Sequence, residues 1–416
     1  MRKMKDSGVA WIGEMPEDWT VKRGKFTLKL LNRPVKETDD VITCFRDGEV
    51  TLRTNRRTDG FTVSVKEIGY QGIEPGDLVI HGMDGFAGSI GISDSRGKSS
   101  PVLVVCDTDE NKRYIMYYLR SMAYNDVFTA LATGIRVRSC DLRWNKLAEL
   151  PYILPSLEEQ NQIVLAIESS TSKVDALISN VQAQIEKLKA YKQSLITEVV
   201  TKGLDPNVPM KDSGVEWIGE IPKCWNMVRG KALFEECDAR SDDGSEELLT
   251  VSQYTGVTPR SQKSVNMFES TTLEGYKICE VGDIAANTMW LWAGAIGVSE
   301  YRGVISPSYN VYRQKEIKYI SSYLDCLLRI PLLVQEYASR STGIRASRLR
   351  LYPKDFMDIM FPVPPIEEQK TIMDILGKKI DMVNHMISIK QSKIEKLELY
   401  KRSLIYEYVT GKKEVS

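Results

Sequence analysis

The chain has 416 residues, 42% hydrophobic and 27% charged. That is a folded composition, too long for one ordinary core, so at least two domains are expected. Lysine plus arginine equals aspartate plus glutamate at 56 each, so net charge gives nucleic-acid binding no support and any basic surface has to be local. No apolar run reaches the roughly 18 residues of a membrane helix, and no apolar segment follows Met1 to Asp6 as in a secretory signal. Seven scattered cysteines without a Cys-x-x-Cys pair fit reduced thiols in a cytoplasm and argue against structural zinc.

In chain order, residues 4–19 read MKDSGVAWIGEMPEDW and lead to Arg23-Gly24-Lys25. The stretch Leu30 to Gln71 holds Arg46, Arg53, Arg56 and Arg57, close to Phe45 and Phe61. Glu74-x-Gly76-Asp77 reads as a turn feeding the strand Leu78-Val79-Ile80, and Val102 to Val105 is a second strand. Gly91 to Ser99 imitates a phosphate loop. It has five residues between its glycines where four are needed, and we reject a nucleotide site there. Tyr114 to Tyr124 has helical apolar spacing. Thr133-Gly134-Ile135-Arg136 sets a backbone turn. Its Arg136, with Arg138 beyond it, faces phosphate or else pairs structurally with a carboxylate.

The next segment is different. From Glu158 to about Thr201 there is no Gly or Pro, and Ser156 with Glu159 forms a capping box ahead of the apolar pattern. Ile167, Val174, Val181, Leu188 and Leu195 recur every seven residues, a coiled-coil seam, and Gly203 is a stop signal. A helix of about 43 residues spans roughly 65 Å at 1.5 Å per residue.

Then the chain starts again. Residues 210–225 read MKDSGVEWIGEIPKCW, offset by 206 from residues 4–19. The same offset relates Glu74-x-Gly76-Asp77 to Glu280-x-Gly282-Asp283, and Gly88 to Gly91 to Gly294 to Gly297. Later it becomes 209, relating Thr133 to Arg136 with Thr342 to Arg345, and Glu158-Glu159-Gln160 with Glu367-Glu368-Gln369. A domain-sized duplication follows. In the second copy the divergent stretch Glu235 to Lys277 holds Tyr254, Arg260, Lys263 and Phe268, and Ser321 to Tyr337 has helical spacing. His81 to Gly85 is replaced by Asn287 to Trp292, whose Trp pair is either a contact or core. Arg345 and Arg348 match the first copy's turn arginines. Leu376, Val383, Leu397 and Leu404 repeat the seam, with Lys390 interrupting, and Gly411 is the stop.

The expected fold is mixed α+β: two homologous α/β globules separated by two long antiparallel coiled-coil helices in a pseudo-twofold arrangement. The expected segments are 1–155 and 204–364 for the globules, with 156–203 and 365–416 for the helices. Two copies of one reader on a rigid spacer suit a two-part target such as duplex DNA with two half-sites. The divergent stretches are then the readers, because Arg and Lys reach guanine edges and neutralise phosphates. The bland alternative is a solvated loop. With only His81 and His385, no histidine-based catalytic or metal set can be assembled.

The repeated Trp-Ile-Gly-Glu-x-Pro-x-x-Trp motifs (Trp11 to Trp19 and Trp217 to Trp225), the Thr-Gly-Ile-Arg turns, the Pro-x-x-Glu-Glu-Gln helix start (Pro155 to Gln160, with one extra Pro in Pro364 to Gln369) and the helix endings Leu188 to Ile196 and Leu397 to Ile405 together resemble the specificity subunit of a type I restriction–modification system. The resemblance covers essentially the whole chain. It implies two target recognition domains reading a bipartite double-stranded DNA sequence with an unspecified spacer. It implies two modification subunits docked on the helices, which methylate adenine with S-adenosylmethionine, and restriction subunits that cleave after ATP-driven, Mg2+-dependent translocation. None of those cofactors belongs to this chain. The competing readings are a coiled-coil scaffold without DNA readout and a standalone DNA-modifying enzyme.

Overall fold

The computed structural model describes residues 2–56, 67–130, 142–263, 272–343 and 349–415. The chain divides into two compact units, Met1–Gln182 with Gln391–Ser416, and Ala183–Lys390. Each unit therefore contains most of one sequence copy together with part of the other copy's long helix.

The first unit is built on a four-stranded antiparallel sheet in the order Lys29–Leu30, Leu103–Asp107, Leu78–His81, Ile90–Ile92. The two strands read from the sequence are its centre, where Val105 pairs with Val79. The second unit repeats the order with Phe234–Cys237, Asn310–Gln314, Ile284–Ala286 and Ile296–Val298. The Glu-x-Gly-Asp turns feed the Leu78 and Ile284 strands, with Gly76 at φ +87° and Gly282 at φ +91°. The buried Asp77 and Asp283 accept the backbone N–H groups of Glu74 and Glu280 at 2.8 and 2.9 Å. Each buried carboxylate also takes a bidentate arginine, Arg33 in one unit and Arg313 in the other.

The apolar spacing of Tyr114 to Tyr124 becomes the helix Lys112–Tyr124, capped by the Asn111 side chain. Its counterpart is not one helix but two, Ser321–Leu328 and Pro331–Arg340. Pro331 has no N–H to continue the helical ladder and forces Ile330 to an extended φ −68°, ψ 147°.

The long helices run Leu157–Lys202 and Ile366–Val409. Of the seam residues, Ile167, Val174, Val181, Leu195, Leu376, Val383 and Leu404 are buried, and Leu188 and Leu397 are half-buried. The helices pack antiparallel. In the first unit Asp175 meets Lys401 at 2.6 Å; in the second Gln184 meets Lys390 at 2.6 Å and Lys192 meets Asn384 at 2.9 Å. One residue number rises as the other falls. No helix of the described residues is long and apolar enough to cross a membrane.

The repeated sequence motifs form the junction between globule and helix. The first-copy Trp19 is buried, and its indole N–H donates to Glu159 Oε2 at 3.1 Å; Trp225 does the same to Glu368 at 2.9 Å. Glu159 is thereby diverted from a reciprocal capping box. Ser156 Oγ still accepts from the Glu159 N–H at 3.3 Å, but the carboxylate turns to Trp19 and Arg2. The neighbouring Gln160 and Gln369 are fully buried. Gln160 accepts from the Asn111 N–H and donates to Pro155 O; Gln369 accepts from the Ile320 N–H and donates to Pro364 O.

Gly377 lies inside the second long helix, and a Cβ there would meet nothing within 4 Å. Glycine costs a helix interior about 0.5–1 kcal/mol relative to alanine. Gly377→Ala is therefore expected to stabilise by about that amount, read as a higher urea midpoint in the helical circular-dichroism signal. An unchanged or lower midpoint would show a constraint at Gly377 beyond backbone freedom.

Candidate nucleic-acid interface

In the first unit the divergent stretch folds into a hairpin, Ile42–Cys44 against Val50–Leu52. Its turn closes with the Phe45 N–H on Glu49 O at 2.8 Å, and Gly48 takes φ +91°. Arg46 is on this turn with its side chain 68% exposed, and its Nη2 is 3.1 Å from Asp84 Oδ1. Arg56 stacks over Phe45, with Cζ 4.2 Å from the ring centroid, and pairs with Asp47 at 2.7 Å and Glu49 at 3.0 Å. Arg53, half-buried, donates from Nε to Thr43 Oγ1 at 3.3 Å. Three candidate readers thus gather on one hairpin. The Arg46–Asp84 pair joins them to the second divergent stretch, His81 to Gly85. Arg57 and Phe61 lie outside the described residues, as do Arg136, Arg138, Arg345, Arg348 and Phe268.

The second unit places a hairpin, Leu249–Ser252 against Gly256–Pro259, at the same point in its chain. Its turn carries Tyr254, 80% exposed, whose N–H donates to Ser252 Oγ at 3.1 Å. Arg260 opens the short helix Arg260–Gln262, and the Lys263 N–H returns to Arg260 O at 3.0 Å. Burial, with the Arg260 charge beside it, holds the Lys263 ammonium below its ordinary value. Trp290 and Trp292 stack with ring centroids 5.7 Å apart. Trp290 is 51% exposed, so that member of the pair is surface and not core.

The two surfaces differ in chemistry. The first interleaves arginines with carboxylates; the second exposes the aromatics Tyr254 and Trp290 and carries Arg260 and Lys263 just after its hairpin. The carboxylate partners Asp47, Glu49 and Asp84 were not foreseen. Asp47 and Glu49 stand beside the arginines in sequence, but Asp84 comes from a separate segment, and only folding brings it to Arg46. Exposed pairs of this kind contribute only about 0–1 kcal/mol, so another acceptor would displace the carboxylates from the arginines at little cost.

His81 is half-buried behind this surface. Its Nδ1 accepts the backbone N–H groups of Asp84 at 2.9 Å and Met83 at 3.3 Å, which requires a neutral ring. Burial lowers its pKa; Asp84 opposes that shift and Arg46 adds to it. In the second unit Asn287 Oδ1 plays the same part, accepting from the Met289 N–H at 3.2 Å. The phosphate-loop imitation is ordinary sheet: Gly97–Ser99 is a strand paired with Gln71–Ile73, and Lys98 pairs with Glu67. Burial pushes the Cys44, Cys106 and Cys279 thiols up to about 12, which keeps them protonated at neutral pH. Among the described residues, no three His, Cys, Asp or Glu side chains are grouped to hold a metal ion.

No family model matches the chain. Two curated proteins of Methanocaldococcus jannaschii align over nearly all of it. The putative type I restriction enzyme MjaX specificity subunit is 24% identical, covering 96% of this chain and 95% of the relative. The type I restriction enzyme MjaVIII specificity subunit is 23% identical, covering 96% and 93%. Over nearly its whole length the chain is thus similar to type I restriction enzyme specificity subunits. A solved structure described as the basis of complex assembly and conformational transition of the type I R-M system superposes with a TM-score of 0.66 at 15% identity, covering 95% of this chain and 99% of that chain; the fold is therefore shared.

The His81 site yields a pH test. A base with a lowered folded pKa leaves the unfolded chain binding more protons. Its stabilising contribution is complete above the ordinary value of 6.5 and is lost as pH falls from there toward the lowered value. His81→Asn, which copies the second unit, is expected to keep the fold and flatten the urea-midpoint profile as pH falls below the ordinary imidazole value of 6.5. A variant as pH-sensitive as the parent would rule out His81 as the titrating group.

Proposed function

We propose that this chain reads a bipartite DNA sequence and directs adenine methylation and restriction carried out by partner subunits. The observation that carries the reading is a frame made twice with two different surfaces on it. The buried junctions, sheets and seams repeat, whereas the first unit's hairpin region presents arginine–carboxylate pairs and the second's presents the exposed Tyr254, followed by Arg260 and Lys263. Within this reading, residues 1–155 and 204–364 are the target recognition domains, and 156–203 and 365–416 are the spacer helices. The hairpin arginines Arg46, Arg53 and Arg56, and Tyr254, Arg260 and Lys263, contact the two half-sites. Arg and Lys suit guanine edges and phosphates; an exposed aromatic suits a thymine methyl or an unstacked base.

The helix pair sets the spacer. Adding one turn to both long helices, about 5.4 Å, is expected to lengthen the unspecified spacer by one or two base pairs of about 3.4 Å, with both half-sites unchanged. Methylome sequencing of cells carrying the complex reads the half-sites and spacer together. Methylation at a single undivided site would refute the two-part reading, and an unchanged spacer would refute the ruler.

The same helices are the proposed docking surface for two modification subunits. Exposed apolar residues repeat on them. Leu177 and Tyr400 lie within a turn of the Asp175–Lys401 pair in the first unit, and Tyr191 and Met386 within a turn of Lys192–Asn384 in the second. By the 209 offset, Leu177 matches Met386 and Tyr191 matches Tyr400. Equivalent patches suit two copies of one partner. Leu177→Glu and Met386→Glu, each alone, are expected to reduce the modification subunits carried per chain from two to one, measured by native mass spectrometry. Retention of two copies by either variant would remove that patch from the interface.

A further inference from the structure

Neither Arg120 nor Arg329 belongs to the candidate readers, yet each is seated against a reader hairpin. They are one position in the duplicated frame, since 329 less 120 is the later offset of 209. Arg120 is on the helix Lys112–Tyr124, and Arg329 directly follows Ser321–Leu328. A Cβ on Gly48 would stand 2.0 Å from Arg120 Nη1 and 2.6 Å from its Cζ, so the guanidinium packs directly against the turn backbone. In the second unit Arg329 Nη2 donates to Tyr254 O at 2.6 Å, and Gly256 is the glycine over it, its Cβ position 3.2 Å from Nη1. Both glycines have positive φ, +91° and +65°, which an L side chain rarely adopts.

The underside of each hairpin is as closely fitted. A Cβ on Gly91 would fall 1.9 Å from Gly48 O, and one on Gly297 would fall 3.1 Å from Gly256 Cα. Each turn is thus held between a glycine of the sheet and an arginine of the helical layer. The arginines are oriented in turn. Arg120 Nε donates to Tyr124 Oη at 2.9 Å, while Arg329 Nη1 is 3.3 Å from Asp325 Oδ2. Among the described residues Arg329 Nε is buried without an acceptor, which costs free energy at this position.

We infer that Arg120 and Arg329 are positioning residues that fix the two reader hairpins and so set the fidelity of each half-site independently. The inference rests on the two-part DNA reading above. Base discrimination needs side chains held within a fraction of an ångström, and a turn freed from its arginine keeps its charges while losing its aim. Sequence discrimination should therefore fall, with affinity for non-cognate DNA unchanged.

The test uses the full chain assembled with its modification subunits. Methylation rates are compared on the cognate duplex and on duplexes altered by one base in either half-site. Arg120→Gln is expected to lower discrimination about tenfold in one half-site, within the range of a single base mismatch, and Arg329→Gln in the other. Arg329→Lys should restore part of it, and binding to non-cognate DNA should stay constant. Discrimination unchanged in both halves, or lost equally in both, overturns the inference. If Arg329→Gln does not assemble, Asp325→Asn loosens the same arginine: relaxed discrimination in one half-site supports the inference, and unchanged discrimination overturns it. A parent complex that methylates without any two-part target would instead defeat the underlying reading.

Discussion

A buried tryptophan N–H needs an acceptor, and here it finds one on the first turn of a long helix. Trp19 reaches Glu159 and Trp225 reaches Glu368. An indole N–H left unpaired in the core costs on the order of 1–3 kcal/mol, and a carboxylate at a helix N-terminus is favoured by the unpaired amides there. One hydrogen bond thus satisfies a core residue and starts a helix. The next residue extends the constraint, because buried Gln160 and Gln369 bind backbone on both sides of the same junction.

The end of the opposite helix arrives at the same place. Gly411 packs on Pro16 and Trp19, and Gly203 on Trp225 and Glu368. Tyr114 Oη lies 3.1 Å from Val409 O, and Tyr323 Oη donates to Val200 O at 2.8 Å. Each unit therefore takes the start of its own copy's helix and the end of the other's. A register slip along the seam would take Val200 O away from the buried Tyr323 hydroxyl.

Much of this was legible. Heptad spacing, stop glycines and the duplication come from local chemistry and repetition, so the long helices, the central strands and the antiparallel pairing were all expected. Where the reading differed, a non-local partner or a proline was responsible. Pro331 splits the helix expected over Ser321 to Tyr337. Glu159 looked like half of a capping box, but it is claimed by a tryptophan 140 residues away. Trp290 could have been core or surface, because an aromatic pair in a loop carries no periodicity to say which face it takes.

By itself the sequence determined the repeat, the element types and the segments free to differ, because periodicity and turn chemistry act over a few residues and duplication reveals what both copies keep. The tertiary structure decided which residues share a surface. It brought Asp84 to Arg46, set Arg120 against Gly48 and Arg329 against Tyr254, and gave the buried Asp77 an arginine from beyond one strand and Asp283 one from another. A buried charge must be paired, but the pairing rule does not say from where along the chain the partner comes; only the folded backbone settles that.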